Sequence, residues 1–452
     1  MTVEKIPSVL ELKRKLDAGE TTSEALVEQA LARIADPAGE GKRVFTAVWA
    51  DQARVAAQAS DALRAAGLAR SELEGLPISI KDLFDVAGKV TRAGSVVLCD
   101  AAPAERNAVV VERLARAGAI LIGHTNMTEF AFSGLGLNPH YGTPSSPWDR
   151  GNRRIPGGSS SGAGVSVADG MAVAALGTDT GGSIRVPSAF CGLTGFKPTA
   201  ARLPSEGAFP LSSSLDSSGP LAATVDCCAI IDAILADEPR PLPTVLPAAE
   251  LRLAVVKTLV LDEADAYVLD TFTRVIEGLR AKGVSIEELE IPEFLELADI
   301  NRKGGIVCAE AYAVHREALA RNGDQYDPRV VSRIIRGKES DAADYIELLS
   351  RRQEWIVAVE ARIHRYDAIL MPTTPVIAPT IAELVASDEA YFKANSLILR
   401  NPGLINFLDG CALSLPCHRY GEAPVGLMVA GAGYSDEQIL SVGRSLEALL
   451  ER

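Results

Sequence analysis

The sequence has 452 residues, of which 47% are hydrophobic and 23% charged, a composition typical of a folded globular protein and not of a disordered or fibrous one. Its 45 basic and 59 acidic residues give a formal net charge of −14, which argues against direct contact with nucleic acid phosphates. It contains no apolar leader and no apolar run long enough to span a bilayer, so we predict a cytoplasmic protein with no membrane contact.

The start of the chain predicts a helical arm. Ser8 with Glu11, and Thr21 with Glu24, have the spacing of capping boxes, in which a side-chain oxygen accepts the N–H three residues further on. A third, alanine-rich helix is predicted from about Asp51 to Ala66, directly before a glycine.

From residue 76 onward, short β-branched runs alternate with helical patterns. LPISIKDLF predicts one strand, and AILIG predicts another after a helix that stops at Gly118. Further strands are predicted at 251–256, 284–289 and 367–372, and long helices at 299–321 and 340–364. This alternation is typical of an α/β fold with a substantially parallel sheet.

The 7 cysteines and 5 histidines are scattered along the chain. No CxxC pair, HExxH motif or zinc-site spacing occurs among them, so we expect free or buried thiols and no disulfides. We also expect chemistry that uses neither a metal nor a histidine.

Residues 155–199 place two glycine–serine clusters on either side of a short apolar segment. In the second cluster Gly181 and Gly182 precede Ser183, and consecutive N–H groups of such a turn can hold an oxyanion. A serine at the edge of that turn is a candidate nucleophile once a base takes its proton. Lys81, at the end of an apolar strand, is a candidate base because burial lowers the pKa of a lysine.

Each of these signals has a more ordinary interpretation. A lysine after a strand is usually solvated, and a Gly/Ser turn is usually only a turn. GGSSSGAG could cradle a phosphate, but it lacks the GxxxxGK[ST] pattern and the Rossmann spacing. Cys191 has no neighbouring base that would make it a nucleophile, and we interpret Asp179 and Arg185 as a structural brace.

Taken together, the motifs resemble those of the amidase signature family of serine hydrolases. The blocks that carry the resemblance lie in the family's order between about residues 8 and 449; they are GLPISIKD, GHTNMTEFAFSG, IPGGSSSGAG, GTDTGGSIRVPSAFCGLTGFKPT, GLINFLDGCALSLPC and APVGLMVAG. Two features depart from the family's common pattern. Ser161 and Ala163 stand where glycine is frequent, and His124 stands where lysine is frequent.

The resemblance implies a Ser–cisSer–Lys triad. Ser183 is then the nucleophile, Ser159 the bridging serine after Gly157 and Gly158, and Lys81 the base. The backbone N–H groups that the resemblance assigns to the oxyanion hole belong to Thr180, Gly181, Gly182 and Ser183. Thr178 or Ser160 would orient the lysine ammonium.

The pattern and the resemblance together predict one domain over 1–452, built on a large twisted mixed β-sheet with α-helices on both faces. Its predicted parts are an N-terminal helical arm at 1–70, the signature core at 71–230, a variable and partly helical segment near the pocket at 231–365, and the C-terminal part of the core at 366–452.

The predicted function is hydrolysis of a carboxylic amide or a related C–N bond, with a small neutral acyl or aryl amide, carbamate or urea-like compound as substrate and with no cofactor. The residues predicted to bind substrate are Met127, Phe130, Phe132 and Tyr141, with core packing as the alternative for each. Two other functions stay open, the glutaminase component of a tRNA-dependent amidotransferase and a non-catalytic binding relative. An intact triad argues against the latter, and a homodimer is left open.

Overall fold

The structure is a computed structural model that describes residues 6–450, so the ends of the predicted domain, 1–5 and 451–452, lie outside the described residues. Eleven strands of this part form one sheet. The strands are β1 Phe45–Val48, β2 Pro77–Lys81, β3 Ile120–Thr125, β4 Ala174–Asp179, β5 Thr194–Lys197, β6 Ser217–Ala222, β7 Arg252–Val256, β8 Ser285–Leu289, β9 Ala368–Pro372, β10 Cys411–Pro416 and β11 Gly426–Gly431.

The sheet order is β1-β3-β2-β4-β6-β5-β10-β11-β9-β7-β8. Strands β3, β2 and β4 run parallel to one another, as do β9, β7 and β8. The other neighbouring pairs are antiparallel. The sheet is therefore mixed, as the resemblance implies, and less parallel than the strand–helix alternation alone suggests.

Helices cover the sheet. The α-helices of the described residues are α1 Val9–Asp17, α2 Ser23–Ala35, α3 Gly41–Val44, α4 Ala50–Ala65, α5 Val109–Arg116, α6 Ser161–Ala168, α7 Arg185–Cys191, α8 Val225–Ala236, α9 Ala266–Ala281, α10 Leu297–Ile300, α11 Gly305–Asn322, α12 Pro328–Ile334, α13 Ala342–Ile363, α14 Ile381–Ala386, α15 Asp388–Phe407 and α16 Asp436–Leu449. In the described part of the chain, none of them is both long and apolar enough to cross a membrane.

Both faces of the sheet are buried. Strands β7, β8 and β9 confirm the three strands predicted in the second half of the chain. In β7, Leu253 and Val255 pack into one hydrophobic cluster, whereas Ala254 and Val256 pack into another. Because successive side chains of a strand point to opposite faces, the apolar runs of the sequence reflect burial on both sides.

Strand β2 shows the same alternation beside the glycine–serine segment. Ile78 and Ile80 pack into the larger hydrophobic cluster. Ser79 lies on the other face, where its hydroxyl is 2.8 Å from that of Ser166 in α6. Lys81, two residues after Ser79, shares this face, so the strand directs the amine toward the segment that carries the serines.

The N-terminal helices begin close to the predicted positions. Ser8 and Glu11 form the predicted capping box of α1. The cap of α2 is Thr22, not Thr21, so that prediction is wrong by one residue. The physical reason is a distant carboxylate, since Asp61 accepts the N–H groups of Ser23 and Glu24 at 2.7 and 3.1 Å and fixes the first turn one residue later. The third predicted helix is α4.

The helix predicted at 299–321 is interrupted. Gly304 and Gly305 have φ of +93° and +67°, and they separate α10 from α11. A Cβ at Gly305 would lie 2.1 Å from the side-chain oxygen of Asn301, so glycine is required at this break. The other long helix, predicted at 340–364, is α13.

Candidate active site

Lys81 is fully buried at the end of β2. Its Nζ lies 2.7 Å from Oγ of Ser159 and 2.8 Å from Oγ1 of Thr178. Burial lowers the pKa of this amine to about 7, although the negative charges of Asp216 and Asp179 oppose the shift. A lysine in this state has a large neutral fraction at neutral pH and is able to accept a proton.

Ser159 lies in the glycine turn before α6, and its peptide bond with Gly158 is cis. A Cβ at Gly158 would lie 2.4 Å from the backbone nitrogen of Gly136, so only glycine fits this turn. The Ser159 carbonyl accepts the Thr128 N–H at 3.0 Å. These contacts hold the turn in place with the Ser159 hydroxyl against Lys81.

Two hydroxyls were predicted as alternatives for orienting the lysine. Thr178, on the neighbouring strand β4, contacts Nζ directly. The Ser160 hydroxyl instead donates to the Thr178 carbonyl at 3.3 Å. The structure therefore places Thr178 next to the amine and Ser160 behind Thr178.

Ser183 lies in the turn between β4 and α7. Ser183 is 4% exposed and lines a large cavity, whereas Ser159 and Lys81 are 0% exposed and do not line it. The Ser160 N–H donates to the Ser183 carbonyl at 3.3 Å and joins the two glycine–serine turns. The structure thus brings the predicted residues into neighbouring turns, with Ser183 at the cavity and Ser159 and Lys81 buried.

The four backbone N–H groups predicted for an oxyanion hole are not equivalent. Thr180, Gly181 and Ser183 line the cavity, but Gly182 does not. The Gly182 N–H donates to Oδ1 of Asp179 at 2.8 Å, so it is already satisfied. Three of the four predicted residues therefore border the cavity.

Asp179 and Arg185 form a fully buried ion pair with two N–H···O contacts of 2.9 and 3.0 Å. Asn406 adds contacts of 2.9 Å to Asp179 and 2.6 Å to Arg185. Burial alone would raise the pKa of Asp179, but the Arg185 guanidinium outweighs it and holds this pKa far below its usual range. Asp179 also accepts the Ile184 N–H at 3.2 Å, so the pair braces the turn that carries Ser183.

Neither Cys191 nor His124 contacts the serines. Burial raises the pKa of the Cys191 thiol, whose Sγ lies 3.5 Å from the Pro156 carbonyl oxygen. His124 is enclosed between Phe84, whose carbonyl is 3.0 Å from Nε2, and Asp82, 3.2 Å from Nδ1. Burial lowers the pKa of His124 to about 4, so this ring is neutral at neutral pH.

The cavity at Ser183 has a volume of about 720 Å³. Much of its wall is apolar and includes Phe132, Leu211, Phe294, Ile306, Leu404 and Phe407. Its walls come from the loop after β3, the turn after β4, the region of α10 and α11, and helix α15. A space of this size accommodates a small organic molecule.

Of the four residues predicted to bind substrate, only Phe132 lines this cavity. Met127 and Phe130 are 0% and 2% exposed, and Phe130 packs against the ring of His315 with centroids 4.4 Å apart. The Tyr141 hydroxyl donates to the Ser95 carbonyl at 3.3 Å. Met127, Phe130 and Tyr141 therefore lie outside this cavity and contact other parts of the protein, as in the alternative of core packing.

The cavity also contains charged residues that were not predicted from the sequence. Four basic side chains, Arg333, Arg336, Lys393 and Arg400, line it together with one acidic side chain, Glu263. Arg333 lies in the last turn of α12, and Arg336, three residues further along the chain, lies in the 3₁₀ turn Ile335–Glu339 that follows it. That spacing is the one sequence signal that could have identified them.

Arg333 contacts a backbone carbonyl and an aromatic ring, and it forms no ion pair with a carboxylate of the described residues. Its Nη1 donates to the Phe132 carbonyl at 2.6 Å, and its guanidinium lies 4.4 Å from the centroid of the Phe132 ring. Burial lowers its pKa, and the titratable groups of the described chain that face it are Tyr391, Cys308 and Arg336, none of them a carboxylate. Arg400 has more hydrogen-bond acceptors than Arg333, because it donates to two backbone carbonyls at 2.8 and 3.0 Å. Arg333 therefore presents a positive charge to the cavity. These neighbours do not neutralise it.

Within residues 6–450, no group of three or more His, Cys, Asp or Glu side chains is arranged to hold a metal ion.

The chain is similar to known proteins over most of its length. A family model described as Amidase matches residues 25–440, a range that contains Lys81, Ser159 and Ser183. The chain is 35% identical over 404 residues to 2-amino-5-chloromuconic acid deaminase of Comamonas testosteroni, with coverage of 88% of this chain and 87% of that protein.

It is also 33% identical over 470 residues to the A component of glutamyl-tRNA(Gln) amidotransferase of Chloroflexus aggregans, with coverage of 96% of this chain and 95% of that protein. A crystal structure of an amidase superposes on the chain with a TM-score of 0.87 and 34% identity, covering 98% of this chain and 100% of the other. The similarity therefore extends over nearly the full length in both sequence and fold.

Proposed function

The chain belongs to the amidase family of hydrolases that act on C–N bonds, and from this premise we propose that Ser183 is its nucleophile, Ser159 its proton relay and Lys81 its base. The observation that carries the proposal is the 2.7 Å contact between Lys81 Nζ and Ser159 Oγ, at a site where burial lowers the lysine pKa to about 7.

In the acylation step, Ser183 Oγ attacks the carbonyl carbon of the amide. Its proton passes to Ser159 Oγ while the Ser159 proton passes to the neutral amine of Lys81. The carbonyl oxygen becomes an oxyanion, which N–H groups of Thr180, Gly181 and Ser183 would stabilise; the support for this is that these three residues line the cavity. The C–N bond then breaks, and the proton returns from Lys81 through Ser159 to the leaving nitrogen.

In the deacylation step, water takes the place of the departed amine. Lys81, neutral again, accepts a proton from water through Ser159, and the hydroxide oxygen attacks the acyl carbon. Collapse of the second tetrahedral intermediate releases the carboxylic acid, and the returning proton restores the Ser183 hydroxyl. The atoms balance as one amide and one water giving one acid and one amine.

For the substrate, we propose a small amide or related compound that also carries a carboxylate away from the reacting bond. The support is Arg333, a cation that faces the cavity without a carboxylate among the described groups around it. A buried charge is costly unless it is paired, so an anionic group of the substrate would compensate it. The name of the Comamonas relative, 2-amino-5-chloromuconic acid deaminase, is that of an enzyme acting on an acid.

The sequence analysis predicts a neutral amide, and the substrate proposed here keeps a neutral amide as the reacting group. It adds one charged group, a carboxylate, at a distance from the bond that breaks. The test is a panel of aliphatic amides, aryl amides, anilides, carbamates, ureas and glutamine, incubated with the purified chain while released ammonia or amine is measured. Each carboxylate-bearing compound is compared with the analogue in which a methyl group replaces the carboxylate.

The wild-type protein is expected to favour the carboxylate-bearing member of each pair. Arg333→Gln should raise KM for it by about 10- to 100-fold, since a hydrogen bond to a charged group is worth roughly 1.5–3 kcal/mol, and should change the methyl analogue little. The matched control is Arg54→Gln, an exposed arginine paired with Glu28 far from the cavity. A preference for the methyl analogues would refute the substrate proposal and leave the triad intact.

A second candidate is the glutamine-hydrolysing component of an amidotransferase. It is supported by the 33% identity to the Chloroflexus aggregans protein over 96% of the chain, and glutamine also carries a carboxylate. Turnover of glutamine alone, and only in the presence of a co-purifying second protein, would favour it. Turnover of other amides by the isolated chain would favour the stand-alone amidase.

For partners and location, we propose a protein that meets its small-molecule substrate in the cytoplasm without binding nucleic acid or membrane. The net charge of −14 supports the absence of nucleic acid contact. A homodimer would be detected by light scattering of the purified chain.

A further inference from the structure

Asp216 lies immediately before β6 and is not part of the predicted triad. Its Oδ1 accepts the hydroxyl of Thr180 at 2.5 Å. Its Oδ2 accepts the N–H groups of Leu211 and Ser212 at 2.9 and 3.1 Å. Both carboxylate oxygens therefore have fixed donors, and one donor belongs to a residue that borders the nucleophile.

A second cavity, of about 540 Å³, lies on the side of Thr180 where Asp216 is found. Thr180 lines both this cavity and the one at Ser183, whereas Asp216 lines only the second. Asp216 thus contacts Thr180 from behind, without reaching the space in which the substrate would bind. Thr178, which contacts Lys81, also borders the second cavity.

The charge of Asp216 also acts on Lys81. Burial lowers the pKa of Lys81, and the carboxylate of Asp216 is the largest opposing influence, ahead of Asp179. Asp179 is itself paired with Arg185. Asp216 therefore differs from Asp179, because it accepts hydrogen bonds from a hydroxyl and from backbone N–H groups, whereas Asp179 is paired with a guanidinium.

Other charged groups pack around this region. Asp409 lines the second cavity. Glu310, on α11, accepts the Ser212 hydroxyl at 2.5 Å, and Arg352, on α13, lies 3.5 Å from the Ser214 carbonyl. Burial raises the pKa of Asp216 to about 6, so this carboxyl is mostly ionised in the range in which Lys81 titrates.

We propose that Asp216 is a positioning residue of the hydrolytic site, which holds Thr180 from behind and presents a negative charge to Lys81 while that lysine carries the proton of Ser183. The carboxylate stabilises the ammonium that forms during attack, so it acts through Lys81 and does not touch the substrate. Its hydrogen bond keeps Thr180 in place beside the developing oxyanion. This inference rests on the proposed function.

The test is the pH dependence of kcat/KM in Asp216→Asn. The amide oxygen can accept the Leu211 and Ser212 N–H groups while its NH2 donates to the Thr180 hydroxyl oxygen, so the contact with Thr180 is kept. The charge is removed, so the Lys81 ammonium becomes less stable. The rising limb of kcat/KM against pH should move to lower pH by about one unit, because the pKa of Lys81 falls. The plateau value of kcat/KM should fall by about tenfold, because an amine with a lower pKa is a weaker base. KM should change little.

Two further variants separate the hydrogen bond from the charge. Thr180→Ser keeps the hydroxyl and should retain most activity, whereas Thr180→Val removes it and should lower kcat without moving the rising limb. The matched control is Asp409→Asn, a carboxylate of the same cavity with φ of +57°, a conformation that asparagine tolerates. It should leave the profile in place.

If Asp216→Asn folds and the rising limb of kcat/KM against pH does not move, the proposed role of the charge is wrong. If Thr180→Val and Thr180→Ser have equal kcat values, the proposed role of the hydrogen bond is wrong. Should Asp216→Asn fail to fold, the Thr180 pair still decides whether the hydrogen bond from Thr180 to Asp216 positions the site, because these variants leave the charge of Asp216 in place. Ser183→Ala, measured in parallel, separates this inference from the proposed function. Full activity in Ser183→Ala overturns both, whereas its loss with an unmoved limb overturns only the role of Asp216.

Discussion

The backbone N–H of Ser160 donates to the carbonyl of Ser183 at 3.3 Å, so the turn before α6 and the turn after β4 are joined beside the two serines proposed to act together. On the other side of the first turn, the Ser159 hydroxyl contacts Lys81. Three chain segments that are distant in sequence thereby meet at the site for which we propose the proton path.

Loss of any member of this path should reduce turnover. We expect Ser183→Ala to abolish measurable hydrolysis, and Ser159→Ala and Lys81→Met each to lower kcat by at least about 10³-fold, because they remove the nucleophile, the relay and the base. Steady-state kinetics on the best substrate of the panel measures the effect. The double variant Ser159→Ala/Lys81→Met should be little worse than either single one, since the residues act as a unit.

Unchanged near-UV circular dichroism of these variants serves as the folding control. A fluorophosphonate should label Ser183 in the wild-type protein, as located by mass spectrometry. Near-wild-type turnover by Ser183→Ala, or labelling of Cys191 in its place, would disprove the assignment.

The rate should depend on pH in the direction set by Lys81. Burial lowers its pKa to about 7, and the neutral amine is the working form, so kcat/KM should rise through about pH 7 and level off about one unit above it. A stopped assay in buffers of constant ionic strength measures the profile. A flat profile across this range, for a step shown to be acylation, would exclude lysine as the base.

The buried pair of Asp179 and Arg185 should matter for both stability and rate. Arg185→Met leaves the Asp179 charge buried without its partner, which should cost about 3–5 kcal/mol in the free energy of unfolding. It should also lower kcat, because Asp179 holds the Gly182 N–H at 2.8 Å beside the nucleophile. Denaturant unfolding and kinetics measure the two effects.

The control for this substitution is Arg54→Met, which removes an exposed ion pair with Glu28. It should leave both quantities unchanged, because exposed pairs contribute little. An equally stable Arg185→Met protein would show that the buried pair is not a brace.

Thiol reagents should modify one cysteine and leave the enzyme active. Cys99 is exposed, whereas the six other cysteines are buried, and burial raises the pKa of Cys191. Iodoacetamide on the native protein should therefore add a single label, found on Cys99 by mass spectrometry. Inactivation that follows the labelling of Cys191 would contradict the serine mechanism.

Local patterns were sufficient to predict much of this molecule. The apolar run that ends in Lys81 identified β2, because the burial of a strand is reflected in neighbouring residues of the sequence. Ser159 was identified by the resemblance to the amidase signature family, since a proton relay has no local pattern of its own. The cap of α2 moved by one residue because Asp61, far away in sequence, takes part in it.

The cavity could not be predicted in the same way. Phe130 and Phe132 are two residues apart, yet Phe130 has φ of +49° and packs into the core while Phe132 lines the cavity. A turn of this kind has no periodicity from which the direction of a side chain follows. Arg333 belongs to a charged helix that would ordinarily face solvent, and only the packing of α12 against the loop at Phe132 places it in the wall.

The alternation along β2 has a consequence for how the sequence can vary. Side chains of a strand change face at every residue, so one inserted residue before Lys81 would exchange the places of Ile80 and Lys81. The amine would then enter the apolar cluster that holds Ile80, out of reach of Ser159. The register with β3 already contains one irregularity between Ile78 and Ser79. Point substitutions in this strand can lower activity by different amounts. A single insertion or deletion there moves Lys81 to the other face of the sheet and so removes the proposed base completely.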